Sequence, residues 1–134
     1  MLLTVIIPCF NEKKNIIKIL NKVFKQKTKK QIILVDDFST DGTREIIKKF
    51  KKKVNKIIYH KKNLGKGACI ISAKRFIKGD LVIIQDSDLE YNPQDYKKLI
   101  APILSGKYSV VYGSRVLNKS NNIRNTEFIS NFRI

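Results

Sequence analysis

Three carboxylates follow an apolar run in the second half of the chain. The run Val82–Ile84 leads through Gln85 to Asp86, Asp88 and Glu90. Residues i and i+2 of an extended backbone point the same way, so Asp86 and Asp88 can converge on one point. Glu90 can join them if the extension continues or a turn folds it back. Because Mg²⁺ takes carboxylate and phosphate oxygens, the spacing favours a divalent-metal site, although such acids can also cap a helix or solvate a loop.

The apolar patterns on either side of this stretch predict alternating strands and helices. We expect strands at about 2–8, 31–35, 54–60, 80–85 and 108–112. We expect helices at about 13–26, from the 39–43 turn to Lys53, across 70–77, and at 93–104. This alternation predicts right-handed βαβ units and a doubly wound, mostly parallel α/β sheet with helices on both faces.

Polar residues follow four of the predicted strands at the point where each ends. They are Asn11-Glu12, Asp36-Asp37, the acidic stretch 86–90 and Arg115. In doubly wound sheets ligands bind in the crevice outside the carboxyl ends of the strands. The sequence therefore predicts that these four clusters meet at one edge of the sheet.

The usual phosphate-binding glycine patterns are missing. Residues 8–12 read Pro-Cys-Phe-Asn-Glu where a dinucleotide fold has G-x-G-x-x-G, and G-x-x-x-x-G-K-[ST] is also absent. An acidic metal site with one arginine instead indicates a nucleotide diphosphate held by a cation. Gly65-Lys66-Gly67 either contacts phosphate or forms a tight turn at a helix start. His60, the only histidine, is interpreted as structural.

Composition sets broad limits on the partners of the chain. It is long enough for about one domain, and its net charge is +17, from 28 basic and 11 acidic residues. The lysine runs lack interleaved aromatic residues, which favours a solvated surface, is compatible with an anionic membrane, and argues against nucleic acid. Cys9 and Cys69 have no metal-ligand spacing and are expected to be buried thiols in a reducing compartment.

No signal peptide is visible, and no apolar run approaches the roughly 18 residues that span a bilayer. We therefore expect a soluble or peripheral cytoplasmic chain.

Five segments in order resemble family 2 glycosyltransferases with the GT-A fold. These segments are 4–12 (TVIIPCFNE), 33–43 (ILVDDFSTDGT), 63–67 (NLGKG), 85–90 (QDSDLE) and 113–115 (GSR). The resemblance covers about residues 3–115, and the most similar branch is that of the polyprenyl-phosphate sugar transferases, such as dolichyl-phosphate mannose synthase. It implies a donor-binding core at 1–115 and, at 116–134, the start of an acceptor-side segment that is C-terminally incomplete.

The resemblance also implies a role for individual residues. Asp86 and Asp88 are similar to the metal-binding pair of the family, joined by Glu90, and Arg115 would pair with a phosphate of the donor or acceptor. The implied catalytic residues are Asp86, Asp88 and Arg115. The implied nucleotide-sugar ligands are Pro8, Phe10, Glu12, Leu34, Asp36, Asp86, Ser87, Asp88 and Arg115.

Several positions depart from the pattern of the family. Phe10 stands where the family usually has Tyr, so a hydroxyl contact is lost. Phe38 stands where Gly is usual, Ser87 where Ala is commoner, and Glu90 where Gln is commoner.

The resemblance implies an inverting transfer of a sugar from a UDP- or GDP-sugar, with Mg²⁺ or Mn²⁺. The implied acceptor is a polyprenyl phosphate at the cytoplasmic face of the membrane, and the alternative is a saccharide hydroxyl that needs a general base. A non-catalytic nucleotide-binding fragment is the other interpretation that the sequence leaves open.

Overall fold

The computed structural model describes residues 1–113 and divides the chain into a first unit, Met1–Pro93, and a second unit that begins at Gln94. The first unit contains β1 (Leu3–Cys9), α1 (Ile16–Lys25), β2 (Lys30–Asp36), α2 (Thr43–Lys48), β3 (Lys56–Tyr59), α3 (Lys66–Lys74) and β4 (Leu81–Ile84). A 3-10 turn, Pro93–Asp95, precedes α4 (Tyr96–Leu104). The alternation of strand and helix agrees with the prediction.

The four strands form one parallel sheet in the order β3-β2-β1-β4. The chain moves from β1 to β2 to β3 in one direction and then returns to place β4 on the other side of β1. Because such crossovers are right-handed, α1 and α2 lie on one face and α3 on the opposite face. The predicted doubly wound α/β architecture is confirmed.

The centre of the sheet is buried on both faces. All seven residues of β1 are buried, which explains its near-continuous apolar run. On one face Ile6, Ile33 and Val35 form a cluster with Cys69 and Ala73 of α3. On the other, α1 buries four residues of one stripe, and its Phe24 ring lies 6.1 Å from that of Phe50. Each such side chain contributes about 1.5–3 kcal/mol when buried.

Polar contacts hold β4 beside β1 where α3 ends. Thr4 Oγ1 donates to Gln31 Oε1 at 2.8 Å and accepts the Gly79 N–H at 2.9 Å. The approach at Gly79 is so close that an added Cβ would lie 2.5 Å from Thr4 Oγ1 and 2.7 Å from the Leu2 carbonyl oxygen. Gly79 therefore permits the entry into β4.

Three predicted elements differ from the structure. The third helix is Lys66–Lys74 rather than across 70–77, because the Phe76 and Ile77 N–H groups bond to carbonyls three residues back (2.9 and 3.2 Å). The second helix ends at Lys48 rather than Lys53, because residues 49–54 make shorter-range turns such as Lys53 N–H to the Phe50 carbonyl (2.8 Å). The predicted strand at 108–112 is wrong: among residues 1–113 the sheet has four strands, and this segment is not one of them. The Tyr108 N–H instead bonds back to the Pro102 carbonyl after α4 (3.3 Å). Strand propensity alone was insufficient without a partner strand.

The cysteines agree with the prediction, since Cys9 and Cys69 are both buried and free. Burial raises the pKa of Cys69 to about 11, and it also raises that of Cys9, so both remain thiols at neutral pH. Within the described residues, no helix has the length and apolar character needed to cross a membrane.

Candidate functional site

The carboxyl ends of β1 and β4 meet at the point where the strand order reverses. The chain leaves β1 towards β2 on one side, and β4 lies on the other side. In doubly wound sheets this reversal opens a crevice in which ligands bind. The Ser87 hydroxyl donates to the Pro8 carbonyl at 3.0 Å, so the residues after β4 are tied to the end of β1. The acidic stretch therefore lies where such a crevice is expected.

The acidic stretch turns immediately after β4. Gln85 is buried, and its side-chain amide donates to the carbonyls of Asp86 (3.0 Å) and Tyr91 (3.1 Å). Leu89 has a φ of 69°, and the Glu90 N–H donates to Asp88 Oδ1 at 3.0 Å. Asp86 is half-buried, whereas Asp88 and Glu90 are exposed. The three acids are thus presented by a turn and not by extended backbone.

Asp86 has a cationic partner. Lys66, the first residue of α3, places Nζ 2.5 Å from Asp86 Oδ1. The side chain of Lys66 is 52% exposed and that of Asp86 is 23% exposed. Because water screens such a pair, its contribution to stability is at most about 1 kcal/mol. The contact nevertheless brings the start of α3 to the acidic stretch.

A buried network fixes the loop that carries Lys66. Asp37 accepts the N–H groups of Leu64 (2.9 Å) and Gly65 (2.7 Å), and His60 Nδ1 lies 2.7 Å from Asp37 Oδ1. His60 Nε2 lies 2.9 Å from the Ser72 hydroxyl. Burial raises the pKa of Asp37, but the hydrogen bonds from His60 and the two amides outweigh it, and the net pKa is lowered. His60 therefore has the structural environment that the sequence predicted.

The ligand atoms of Asp37, His60 and Cys69 lie within 4.8 Å of one another. Hydrogen bonds account for the arrangement of Asp37 and His60, because both Asp37 oxygens already accept backbone N–H groups and His60 Nδ1 lies 2.7 Å from Asp37 Oδ1. Among residues 1–113, Asp86, Asp88 and Glu90 do not form such a group of three. Two carboxylates with phosphate oxygens are the donor set that Mg²⁺ commonly takes, and Asp86 and Asp88 are donors of that chemical type.

Asp36 lies on the other face of the sheet and is fully buried. Its Oδ2 accepts from Arg44 Nε at 2.7 Å and lies 2.6 Å from Arg44 Nη2. The guanidinium also lies over the rings of Tyr59 (5.2 Å) and Phe38 (5.8 Å). Asp36 Oδ1 is buried and, within the described part of the chain, has no hydrogen-bond partner. The arrangement leaves one carboxylate oxygen as an unused acceptor.

The loops after β1 and β2 are bonded to each other. Asn11, with a φ of 54°, donates its backbone N–H to Ser39 Oγ (3.0 Å), and its Oδ1 accepts the Thr40 N–H (2.9 Å). The Lys13 N–H donates to Asp41 Oδ2 at 3.0 Å. The loop after β1 and the loop after β2, whose bonded residues are 28 positions apart in the sequence, are thus held side by side at the carboxyl ends of the strands.

Phe38 adopts a left-handed backbone with a φ of 68°. The turn therefore keeps a conformation that favours glycine, although this chain has Phe there. The ring is 40% exposed, and Phe10 is 45% exposed on the neighbouring loop. Both aromatic side chains are available to a ligand at this edge.

The structure brings most of the predicted residues to one edge. Pro8 is tied to Ser87, and Glu12 accepts a hydrogen bond from the Asn15 amide at 3.0 Å. The Leu34 side chain is fully buried in the sheet, so the structure does not expose it to a ligand. Arg115 lies outside the described residues. The predicted roles of these side chains remain predictions.

Sequence reasoning missed three partners: Lys66 for Asp86, Arg44 for Asp36, and the Asp37–His60 pair. Lys66 had a usable signal, because the residues after β3 belong to the same sheet edge as those after β4. His60, directly after β3, had the same signal with respect to Asp37 after β2, whereas Arg44 had none, since its pairing depends on how α2 packs.

The parallel strand order with its reversal at β1 and β4, and the helices on both faces, define a doubly wound α/β protein. Residues 4–132 match the family model described as Glycosyl transferase family 2. Because the match covers most of the sequence, the chain belongs to glycosyl transferase family 2.

Individual relatives agree with this family. The dolichol-phosphate mannosyltransferase of Pyrococcus furiosus is 30% identical over 96% of this chain and 37% of its own. The crystal structure of S. aureus TarS 1-349 in complex with UDP-GlcNAc is 32% identical, with a TM-score of 0.66 over 78% of this chain and 32% of that one. Mannosyltransferase PcManGT from Pyrobaculum calidifontis, in complex with GDP-Man and Mn2+, is 28% identical, with a TM-score of 0.60 over 64% and 27%. The chain spans about half the length, or less, of the curated relatives it matches.

Proposed function

We propose that this chain is the donor-binding part of a metal-dependent glycosyltransferase that takes its sugar from a nucleotide diphosphate. The observation that carries the proposal is the position of Asp86 and Asp88 on a turn beside the crevice between β1 and β4. The complexes of two related structures with UDP-GlcNAc and with GDP-Man and Mn2+ support it. Because the chain spans only part of its relatives, catalysis is proposed for the whole protein.

Asp86 and Asp88 are proposed to hold Mg²⁺ or Mn²⁺ together with the diphosphate of the donor, and Glu90 would join them only if the turn at Leu89 rearranges. Once bound, the ion supplies Lewis acidity that neutralises the charge of the departing nucleoside diphosphate. Ser87 keeps the two acids in place through its bond to the Pro8 carbonyl. This bond fixes their distance from the end of β1.

The nucleoside is proposed to lie on the β1 and β2 side of the crevice. Phe10 and Phe38 offer exposed rings for the base or ribose, and Asp36 Oδ1 is an acceptor without a partner in the described part. Arg44 holds the other Asp36 oxygen, so the carboxylate is oriented before a ligand arrives. Pro8 in β1, Glu12 in the loop after β1 and Leu34 in β2 are proposed to form the backbone framework around the nucleoside.

The proposed reaction is a single displacement with inversion at the anomeric carbon. A new bond forms between the acceptor oxygen and that carbon, while the bond from the carbon to the diphosphate oxygen breaks and its electron pair leaves with the nucleoside diphosphate. The proposed acceptor is a polyprenyl phosphate, as the name of the Pyrococcus relative suggests. Its oxygen is already anionic, so no general base is required, and Arg115 would pair with a phosphate group.

A lipid acceptor places the whole protein at a membrane surface, and we propose the cytoplasmic face because the donor is a nucleotide sugar. The net charge of +17 is compatible with anionic lipid. A saccharide acceptor would need a carboxylate base from the remainder of the protein.

The metal pair is tested by Asp88→Asn, which removes the charge and keeps the size of the side chain. We expect nucleotide affinity in the presence of Mn²⁺ to fall about tenfold or more, because one of the two proposed anionic metal ligands is lost. Asp95→Asn is the matched control, since the Asp95 side chain is half exposed and its ion pair, within residues 1–113, is with Lys98. Calorimetric titration provides the affinities. If Asp88→Asn and Asp95→Asn have the same nucleotide affinity in Mn²⁺, Asp88 is not a metal ligand.

A further inference from the structure

The ion pair between Lys66 and Asp86 has a consequence for the metal site, and this inference rests on the proposed function. Lys66 Nζ lies 2.5 Å from Asp86 Oδ1. A divalent ion bound to the same carboxylate would lie about 2.0–2.1 Å from an oxygen. An ammonium and a divalent ion so close to each other repel strongly, because the Coulomb energy rises as their separation falls. Lys66 and the metal therefore compete for Asp86.

The backbone that carries Lys66 is fixed, whereas its side chain is free to move. Asp37, buried and bonded to His60, holds the N–H groups of Leu64 and Gly65 directly before it. Gly65 has a φ of 86°, and an added Cβ at Gly65 or Gly67 would meet nothing within 4 Å. The Lys66 side chain is 52% exposed. Its ammonium can thus leave Asp86 and remain close to the crevice.

A nucleotide diphosphate gives the displaced ammonium a new partner. The phosphate oxygens must lie near the metal, because the metal bridges them to Asp86 and Asp88 in the proposed site. Lysine binds phosphate as a mobile point charge. An ammonium that leaves Asp86 by a few ångströms reaches those oxygens without any movement of α3.

We propose that Lys66 is the counter-ion of Asp86 in the donor-free protein, and that it yields the carboxylate to the metal and pairs with the diphosphate when the donor binds. The exchange makes the metal and the nucleotide bind cooperatively. By linkage, the nucleotide tightens metal binding by the same factor by which the metal tightens nucleotide binding. Metal alone binds weakly because it must first break the ion pair.

The direct test is the affinity for Mn²⁺ alone, measured from the electron paramagnetic resonance signal of the free ion. Lys66→Met should bind Mn²⁺ about fivefold more tightly than the unmodified protein, the factor expected for loss of one competing, partly exposed cation. Lys62→Met removes the same charge from an exposed lysine four residues earlier and should change the affinity by less than about twofold. Lys66→Arg retains a cation and should resemble the unmodified protein.

The second measurement is UDP and GDP affinity at saturating Mn²⁺. Lys66→Met should weaken binding of the preferred nucleotide about fivefold or more, because a charge-assisted contact to phosphate is lost. The inference is overturned if Lys66→Met leaves the affinity for Mn²⁺ alone unchanged. It is also overturned if Lys66→Met and Lys62→Met change the Mn²⁺ and nucleotide affinities by the same factors. Lys66→Gln, with a polar side chain, repeats the test if Lys66→Met does not fold.

Asp86→Asn separates this inference from the proposed function. If Asp86→Asn abolishes Mn²⁺ binding while Lys66→Met has no effect, the metal site stands and the exchange is wrong. If neither the unmodified protein nor any Lys66 variant binds Mn²⁺, alone or with UDP or GDP, both the exchange and the metal-dependent function are wrong.

Discussion

Two adjacent acids, Asp36 and Asp37, illustrate how single residues organise the site. Successive side chains along a strand point to opposite faces, so Asp36 meets Arg44 of α2 while Asp37 meets His60 and the loop before α3. Each buried charge is compensated by a hydrogen-bonded partner, as burial requires. One acid thus orients the proposed nucleoside side of the crevice, and the other positions Lys66 beside the proposed metal side.

The Asp37 network predicts a pH dependence of stability. The pKa of Asp37 in the folded protein lies below its ordinary value of 3.8, so the ionised group stabilises the fold above pH 3.8. This stabilisation is lost as the pH falls further, through the lowered folded pKa. Asp37→Asn should therefore be less stable than the unmodified protein at pH 7, by about 1–3 kcal/mol, and the difference should shrink below about pH 3.8.

Urea denaturation of both proteins at pH 7 and at pH 3 measures this difference. Asp95→Asn serves as the control, because its exposed carboxylate makes only a surface pair with Lys98. A difference between Asp37→Asn and the unmodified protein that is the same at both pH values would contradict the role of the Asp37 charge.

At the scale of elements, the junction between α3 and β4 is the most constrained connection. Gly79 lies against the backbone of the residues that begin β1 and against the Thr4 hydroxyl, which also bonds Gln31 of β2. Gly79 therefore contacts β1 directly, is linked to β2 through Thr4, and leads into β4. The junction fixes where β4 begins. It thereby fixes the position of Asp86 and Asp88, which follow β4 at the carboxyl ends of the strands.

Gly79→Ala should destabilise the protein by more than about 2 kcal/mol, because the added Cβ would lie 2.5–2.7 Å from Thr4 and Leu2 atoms that belong to the sheet. Gly67→Ala is the matched control. Gly67 lies in α3 with open space around its Cα, and alanine there should be neutral or stabilise by up to about 1 kcal/mol. Thermal unfolding followed by circular dichroism compares the two variants. Similar unfolding temperatures would contradict the close packing at Gly79.

At the scale of the whole molecule, the sequence predicted the parts that depend on repeating patterns. Four of the five apolar runs that predicted strands are strands, and the longest runs are β1 and β2, which are buried on both faces. The expected convergence of Asn11, Asp36 and Asp86 followed from topology alone, because carboxyl ends of parallel strands share an edge. The family resemblance, carried by the same motifs, is confirmed by the match over residues 4–132.

The parts that the sequence did not predict depend on long-range contacts. Residues 108–112 have the composition of a strand, but a strand needs a neighbour, and the Tyr108 N–H bonds back to Pro102 instead. Arg44 and Lys66 are two of 28 basic residues; no local pattern distinguishes Arg44 from solvated arginines, and only the position of Lys66 after β3 distinguishes it from solvated lysines. Their partners follow from the packing of α2 and α3, which composition does not specify.

The most direct measurement of the central claim is calorimetric titration of the protein with UDP and with GDP, each in Mn²⁺ and in EDTA. If the crevice between β1 and β4 is a metal-dependent nucleotide site, one of the two nucleotides should bind in Mn²⁺ and lose at least about tenfold in affinity in EDTA. Binding of either nucleotide with equal affinity in EDTA would contradict the metal dependence. Failure of both nucleotides to bind in Mn²⁺ would contradict the donor site itself.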